Sequence, residues 1–192
     1  MKQGVLWITG LSGAGKSTVA RLVADRLTAS GERPVLLDGD RLRAILPVRL
    51  GYEAGDRRRL AKFYAELANE LAGQSQFVIV ATVSLFHEVH DWNRAHTSGY
   101  TEVWLRVPMD ELRTREGRAA FYGSEGGSGG ATDGGPGGAG APPGGTLTDV
   151  VGVDTRAEFP VAPDLVIDNY GGTTAESAAD RILDVLTGGP PA

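Results

Sequence analysis

The sequence predicts an α/β fold, a parallel sheet covered by helices on both faces, and three observations carry that prediction. Five short runs, Val5–Thr9, Pro34–Asp38, Phe77–Thr82, Thr101–Val107 and Asp164–Asp168, are near-continuously apolar rather than alternating. Strands buried on both faces have that pattern. Helical periodicity fills the gaps between them: Val19, Leu22, Val23 and Leu27 after the first run, then Leu60, Phe63, Tyr64, Leu67 and Leu71 before the third. Finally, 192 residues are enough for one domain with a substantial core. Strand–helix alternation of this kind places ligands at the carboxyl ends of the strands.

The first run leads into a glycine-rich loop and then an amphipathic helix. The last run is followed by Thr173-Thr174-Ala175-Glu176, which has the form of a capping box. The helix it opens carries Ala175, Ala178, Ile182 and Leu186 on one face and stops at Gly188-Gly189-Pro190. One segment breaks the pattern. Gly123 to Gly145 holds 12 of the chain's 28 glycines and three of its 10 prolines, too little apolar surface to offset the entropy of ordering it. Residues 1–192 are therefore read as a single domain with a flexible glycine-rich insertion at about 117–148. It is either a passive surface insertion or, lying between the fourth and fifth strands, an active-site lid.

Composition narrows the function. A net charge of −5 and a pI near 5.2 argue against nucleic acid or an anionic membrane surface as the main partner. No cysteine is present, which excludes disulfides, thiolate zinc sites and a cysteine nucleophile. The apolar run after Gly4 is too short for a signal peptide or a membrane span, and no stretch approaches 18 apolar residues. The default expectation is a soluble, cytoplasmic chain.

Gly10-Leu-Ser-Gly-Ala-Gly-Lys-Ser17 fits G-x-x-x-x-G-K-[ST] in full, directly after a strand and at the start of a helix. Glycines let the main chain curl until its N–H groups converge on an anion, and the helix that follows aims its positive end at the same place. Lys16 supplies a mobile charge for the β- and γ-phosphates, and the Ser17 hydroxyl can ligate Mg²⁺. Gly10, Ser12, Gly13, Ala14, Gly15, Lys16, Ser17 and Thr18 are thus the expected ATP-binding set, with ATP and Mg²⁺ as the implied cofactors. A glycine turn feeding a helix would not explain the Lys-Ser pair. The fold class sharpens to a three-layer P-loop kinase, with a five-stranded parallel sheet flanked by helices. No Asn-Lys-x-Asp guanine motif and no Leu-Ser-Gly-Gly-Gln transporter signature occurs, so a small-molecule kinase is favoured over a GTPase or transport ATPase.

The second run ends Leu37-Asp38-Gly39-Asp40-Arg41-Leu42-Arg43. Two carboxylates at the carboxyl end of a strand fall on the ligand side of the sheet, where a kinase needs a group to organise Mg²⁺ or accept the acceptor hydroxyl's proton. Asp-Gly is also ordinary turn chemistry.

Trp7-Ile8-Thr9-Gly10 through Thr18, followed by Leu37-Asp38-Gly39-Asp40, resembles the adenylyl-sulfate (APS) kinase family. The likeness continues through Leu50-Gly51-Tyr52, Asp56-Arg57 and Ala81-Thr82-Val83-Ser84, then resumes at Val151-Gly152-Val153-Asp154 and Pro163-Asp164-Leu165. It implies an ATP-dependent phosphotransferase acting on an alcohol group, the ribose hydroxyl of a nucleotide-type small molecule. Lys16, Asp40 and Asp38 would be catalytic, with Ser17 and Asp40 on the metal. Arg115 would help bind ATP. Arg43, Tyr52, Arg57, Val83 and Ser84 would bind the acceptor, the arginines because a planar guanidinium pairs with phosphate or sulfate oxygens. Members commonly form homodimers, which leaves a homodimer open for this chain.

The donor half keeps the family pattern and the acceptor half departs from it. Arg41 stands where the family has asparagine after Asp-Gly-Asp, and Leu60 replaces an asparagine three residues after Arg57. Phe-Ile-Ser-Pro becomes Thr82-Val83-Ser84-Leu85, and the basic stretch after it becomes Phe86 to Arg94. Val150 occupies the place of a second base-stacking aromatic, and the lid signature is reduced to Arg115-Glu116-Gly117-Arg118. The Ser-Leu-Phe-His-Glu run resembles cytidine diphosphoramidate kinases, so the acceptor is expected to be adenylyl sulfate or a related nucleotide such as a cytidine conjugate. The alternatives are another small-metabolite kinase, shikimate- or gluconate-like, and a non-catalytic nucleotide-binding regulator. His87 and His90 are spaced i, i+3 rather than the i, i+4 of a zinc helix; with His96 they are read as loop histidines, and Trp92 as packing.

Overall fold

The computed structural model describes residues 3–48, 50–51, 53–115 and 156–188. The glycine-rich insertion, Tyr52, Val150 and the Val151–Asp154 stretch lie outside them. The described elements are β1 (Gly4–Thr9), α1 (Lys16–Ala29), β2 (Val35–Asp38), α2 (Gly39–Ile45), α3 (Ala54–Gly73), β3 (Phe77–Ala81), α4 (His87–His96), β4 (Tyr100–Arg106), α5 (Met109–Thr114), β5 (Leu165–Asp168) and α6 (Ala175–Thr187). The five strands form one parallel sheet in the order β2-β3-β1-β4-β5, as the apolar runs predict to within a residue at each end.

Burial on both faces explains why the runs do not alternate. Leu6 and Ile8 of β1, Ile79 and Ala81 of β3, and Val103 and Leu105 of β4 pack under α1 and α6. Val5, Trp7, Val78 and Val80 point the other way, under α3 and α4. Successive side chains of one strand thus enter different cores. β4 carries one exception, the buried Glu102.

Helix faces follow the predicted spacing with two corrections. Val19, Val23 and Leu27 of α1 are buried. On α3 the buried stripe is Leu60, Ala61, Tyr64, Ala65, Ala68 and Ala72, whereas Phe63 is exposed: small alanines, not the large residues alone, let α3 lie close to the sheet. The capping box of α6 is displaced by one residue. Thr174 is the N-cap and Ser177, not Glu176, closes the box, with Ser177 N donating to Thr174 Oγ1 at 3.1 Å and Thr174 N to Ser177 Oγ at 3.2 Å. Gly188, in the left-handed conformation at φ 80°, ends the helix.

His87, His90 and His96 lie on α4, not in a loop. Trp92 packs toward the α3–α4 core and stacks on His96 at 4.7 Å.

Candidate active site

β1 is the central strand, and the register sets Ile8 level with Ala81, Val103 and, across β3, Asp38. The loops that leave the carboxyl ends of β1, β2, β3, β4 and β5 therefore gather at one edge of the sheet. The P-loop occupies its centre. Gly10 passes so close to β4 that a Cβ there would sit 2.5 Å from Leu105 O, and Gly15, at φ 90°, would place one 2.7 Å from Asn169 Nδ2. Only glycine fits either position.

Gly15 is the N-cap of α1 and contributes no side-chain cap, so the amides of the helix start face the loop rather than a capping side chain. Lys16 is buried, with Nζ donating to Leu11 O at 2.8 Å. Its ammonium is thus held against the main chain of the loop. Ser17 is half-buried beside it and Thr18 exposed. Ser12 and Gly13 are half-buried and Ala14 is buried; Ala14 N donates back to Leu11 O at 3.1 Å, which closes the turn.

Two contacts brace the loop from the far end of the chain. Asn169, directly after β5 and buried, donates through Nδ2 to Ala14 O at 2.7 Å. Arg115 donates to Gly13 O at 2.7 Å and to Asn169 O, which places it against the glycine loop. Asn169 was not legible as part of the site, because its bond to the loop spans 155 residues of sequence.

Asp38 is the N-cap of α2: its Oδ1 accepts from Asp40 N at 3.0 Å and Arg41 N at 3.2 Å. The Asp-Gly turn is thus the first turn of a helix that the sequence pattern did not separate, and Asp38 supports Asp40 through the main chain. Asp38 is buried, Asp40 exposed at the rim. Tyr64 of α3 donates to Gly39 O at 2.7 Å; burial pushes its phenol pKa upward, so it is a neutral donor there. Asp38→Ala is expected to lower stability by about 1 kcal/mol through the lost cap, and turnover with it, as read by thermal unfolding beside an ADP-release assay.

After β3, the Thr82–Leu85 loop turns toward the same edge. Thr9 Oγ1 donates to Val83 O at 2.7 Å, and the Thr82 and Ser84 hydroxyl oxygens are 2.9 Å apart. A Cβ on Gly39 would meet Thr82 Oγ1 at 3.0 Å, so the Asp38–Asp40 turn and this loop touch. Arg43 donates to Leu50 O at 2.8 Å and to Gly51 O, and Gly51 N donates to Asp56 Oδ2 at 2.6 Å. Arg43 thereby holds the chain leading into α3. Arg57 sits half-buried in the first turn of α3.

The sheet, the glycine loop with its lysine, and a carboxylate pair at the next strand's end define a P-loop kinase. Residues 2–129 match the family model described as adenylylsulphate kinase, and the chain belongs to that family. It is 30% identical over 182 residues, 95% of each chain, to the cytidine diphosphoramidate kinase of Campylobacter jejuni subsp. jejuni serotype O:2. It is likewise 30% identical over 193 residues, 100% of this chain and 89% of the other, to the adenylyl-sulfate kinase of Pseudomonas aeruginosa. The Mycobacterium tuberculosis APS kinase, solved in complex with AMPPNP and APS, superposes with a TM-score of 0.76 at 27% identity, covering 97% of this chain and 98% of that one. The chain is accordingly an ATP-dependent phosphotransferase with an alcohol group as acceptor, and the resemblance carried by its motifs is borne out. Among the described residues, no helix is long and apolar enough to cross a membrane.

Proposed function

We propose that the chain transfers the γ-phosphoryl group of ATP to a ribose hydroxyl of a nucleotide other than adenylyl sulfate, with a cytidine nucleotide conjugate such as cytidine diphosphoramidate as the preferred acceptor. The observation that carries this is the fate of the acceptor side. Leu60, at the place of a family asparagine, is in the core under α3. Where the family has a basic stretch, α4 begins with Phe86, His87 and Glu88, and the single arginine of the stretch, Arg94, is tied to Glu102 at 3.3 Å and Asp164 at 3.2 Å. The charge of that arginine is thus already matched by two carboxylates. A cytidine diphosphoramidate kinase stands among the relatives at the same 30% identity as an adenylyl-sulfate kinase, so a cytidine acceptor lies within the range of the family.

In this reading the P-loop amides and Lys16 stabilise the β- and γ-phosphates, and Arg115 steadies the loop from the ATP side. Asp40 takes the proton of the incoming hydroxyl, with Asp38 fixing the turn that presents it. Arg43, Arg57, Tyr52, Val83 and Ser84 form the acceptor side. Mg²⁺ suits the donors present, because it favours a hydroxyl and one or two carboxylates plus phosphate oxygens over a cage built by the protein alone. Ser17 and Asp40 would hold it, and it would supply charge neutralisation on the phosphates. Rate acceleration comes mainly from positioning and electrostatics.

The test is ATP consumption with cytidine diphosphoramidate, adenylyl sulfate and a panel of nucleotides. A base contact is worth on the order of 1–3 kcal/mol, so a site fitted to the cytidine conjugate should turn it over with a kcat/KM about tenfold or more above that for adenylyl sulfate. Efficient turnover of adenylyl sulfate with none of the others would overturn the proposed change of acceptor.

A further inference from the structure

Behind the Thr82–Leu85 loop runs a buried polar chain that the transfer chemistry does not use. His90, on α4, is 5% exposed. Its Nε2 lies 2.9 Å from the carbonyl oxygen of Ser84. Its Nδ1 lies 3.5 Å from Glu102 Oε1 and has no hydrogen-bond partner. Glu102, 2% exposed in β4, accepts from Tyr100 Oη at 3.2 Å and from Arg94 at 3.3 Å. Arg94 also reaches Asp164 Oδ2 at 3.2 Å, and that carboxylate oxygen accepts from Glu102 N at 2.7 Å. The chain thus links the loop to the main chain at β5.

Proton placement follows from the geometry. A carbonyl only accepts, so the ring nitrogen facing Ser84 carries the proton. A neutral imidazole then turns the Nδ1 lone pair toward the Glu102 carboxylate, which accounts for the unpartnered atom. Burial, the largest influence, lowers the His90 pKa. Glu102 and the Ser84 carbonyl oppose it, His87 lowers it further and Asp91 raises it. The neutral form is therefore present at pH 7. A leucine would fill the same space without setting a buried lone pair against a buried carboxylate. Packing alone does not call for histidine here.

We propose that His90 is a positioning residue for phosphoryl transfer: its Nε2–H fixes the Ser84 carbonyl, and with it the Val83–Ser84 segment. This rests on the reading of Val83 and Ser84 as acceptor-binding. Thr9 anchors Val83 O at 2.7 Å, Phe86 N shares the Ser84 carbonyl at 3.1 Å, and Glu158 N anchors Leu85 O at 3.1 Å. His90 adds the hold from α4.

Three variants test it, with cytidine diphosphoramidate and adenylyl sulfate as acceptor probes. His90→Leu keeps the bulk and removes the donor; His90→Gln can place an amide N–H near the ring Nε2; His90→Asn, too short to reach Ser84, serves if the leucine variant does not fold. Loss of the hydrogen bond should raise the acceptor KM about tenfold in the leucine or asparagine variant while ATP KM stays within about twofold, and glutamine should recover most of the loss. Hydrogen exchange over residues 82–90 gives a readout that needs no acceptor: faster in leucine than in wild type, and near wild type in glutamine. The linkage has a fixed sign. Below the ordinary pKa of 6.5 the unfolded chain takes up the His90 proton before the folded chain does, so wild-type stability should fall relative to His90→Gln as pH drops from 7 to about 5. Equal rises in both KM values, or exchange that is the same in the leucine and glutamine variants, would make His90 a packing residue and overturn the proposal. Absence of wild-type turnover on every nucleotide would strike the acceptor reading instead, and the exchange contrast would still decide whether His90 holds the loop.

Discussion

Replacing Lys16 with alanine is expected to lower kcat by about 10²–10³-fold, the usual loss when a preorganised charge or donor aimed at the transition state is removed, with the melting temperature close to wild type. The ammonium is bonded to Leu11 O of the loop at 2.8 Å, beside the amides proposed to bind the phosphate tail. Arg115 donates to Gly13 O and Asn169 O on the other flank of the loop. Alanine at the first position of α1 is a good helix former, and the variant also removes a buried charge. The helix should therefore survive. ADP release measured beside a circular-dichroism melt checks both halves of the expectation. Near-normal turnover would mean that the loop does not bind the reacting phosphates.

Asp40→Asn should lower kcat by about 10²-fold or more while changing the ATP KM less than about threefold. The substitution is nearly isosteric, and the cap bond from residue 40 to Asp38 Oδ1 uses the main-chain N–H, so α2 starts as before. What is lost is the carboxylate that takes the acceptor's proton. A large rise in ATP KM with little change in kcat would assign Asp40 to nucleotide binding instead.

How much of this could be read from residues alone depends on how local each feature is. The P-loop was fully legible, because its glycines, lysine and serine act through a main-chain shape set by eight consecutive residues. Strand positions were legible because both faces of the sheet are covered, which leaves continuous apolar runs. Helix α2 was not, because Asp38-Gly39 has the same composition as a turn; the Asp38 side chain decides the matter by capping Asp40 and Arg41. Arg43 also bonds carbonyls seven and eight residues on, a contact that spacing cannot reveal. Asn169 and Ala14 are 155 residues apart, and the Ser84–His90–Glu102 chain joins a loop, a helix and a strand. Such sites exist only once the sheet has assembled, so no local pattern announces them. The replacement of a family asparagine by Leu60 was legible in the sequence; the fold adds that the Leu60 side chain is buried in the core between α3 and the sheet.

The nest of amides beside Lys16 is most directly tested by titration calorimetry of the whole chain with Mg²⁺ and a non-hydrolysable ATP analogue. Saturable binding at one site per chain is predicted, weakened about tenfold or more in Lys16→Ala. A flat trace with the ATP analogue, and with the GTP, CTP and UTP analogues run beside it, would contradict the account.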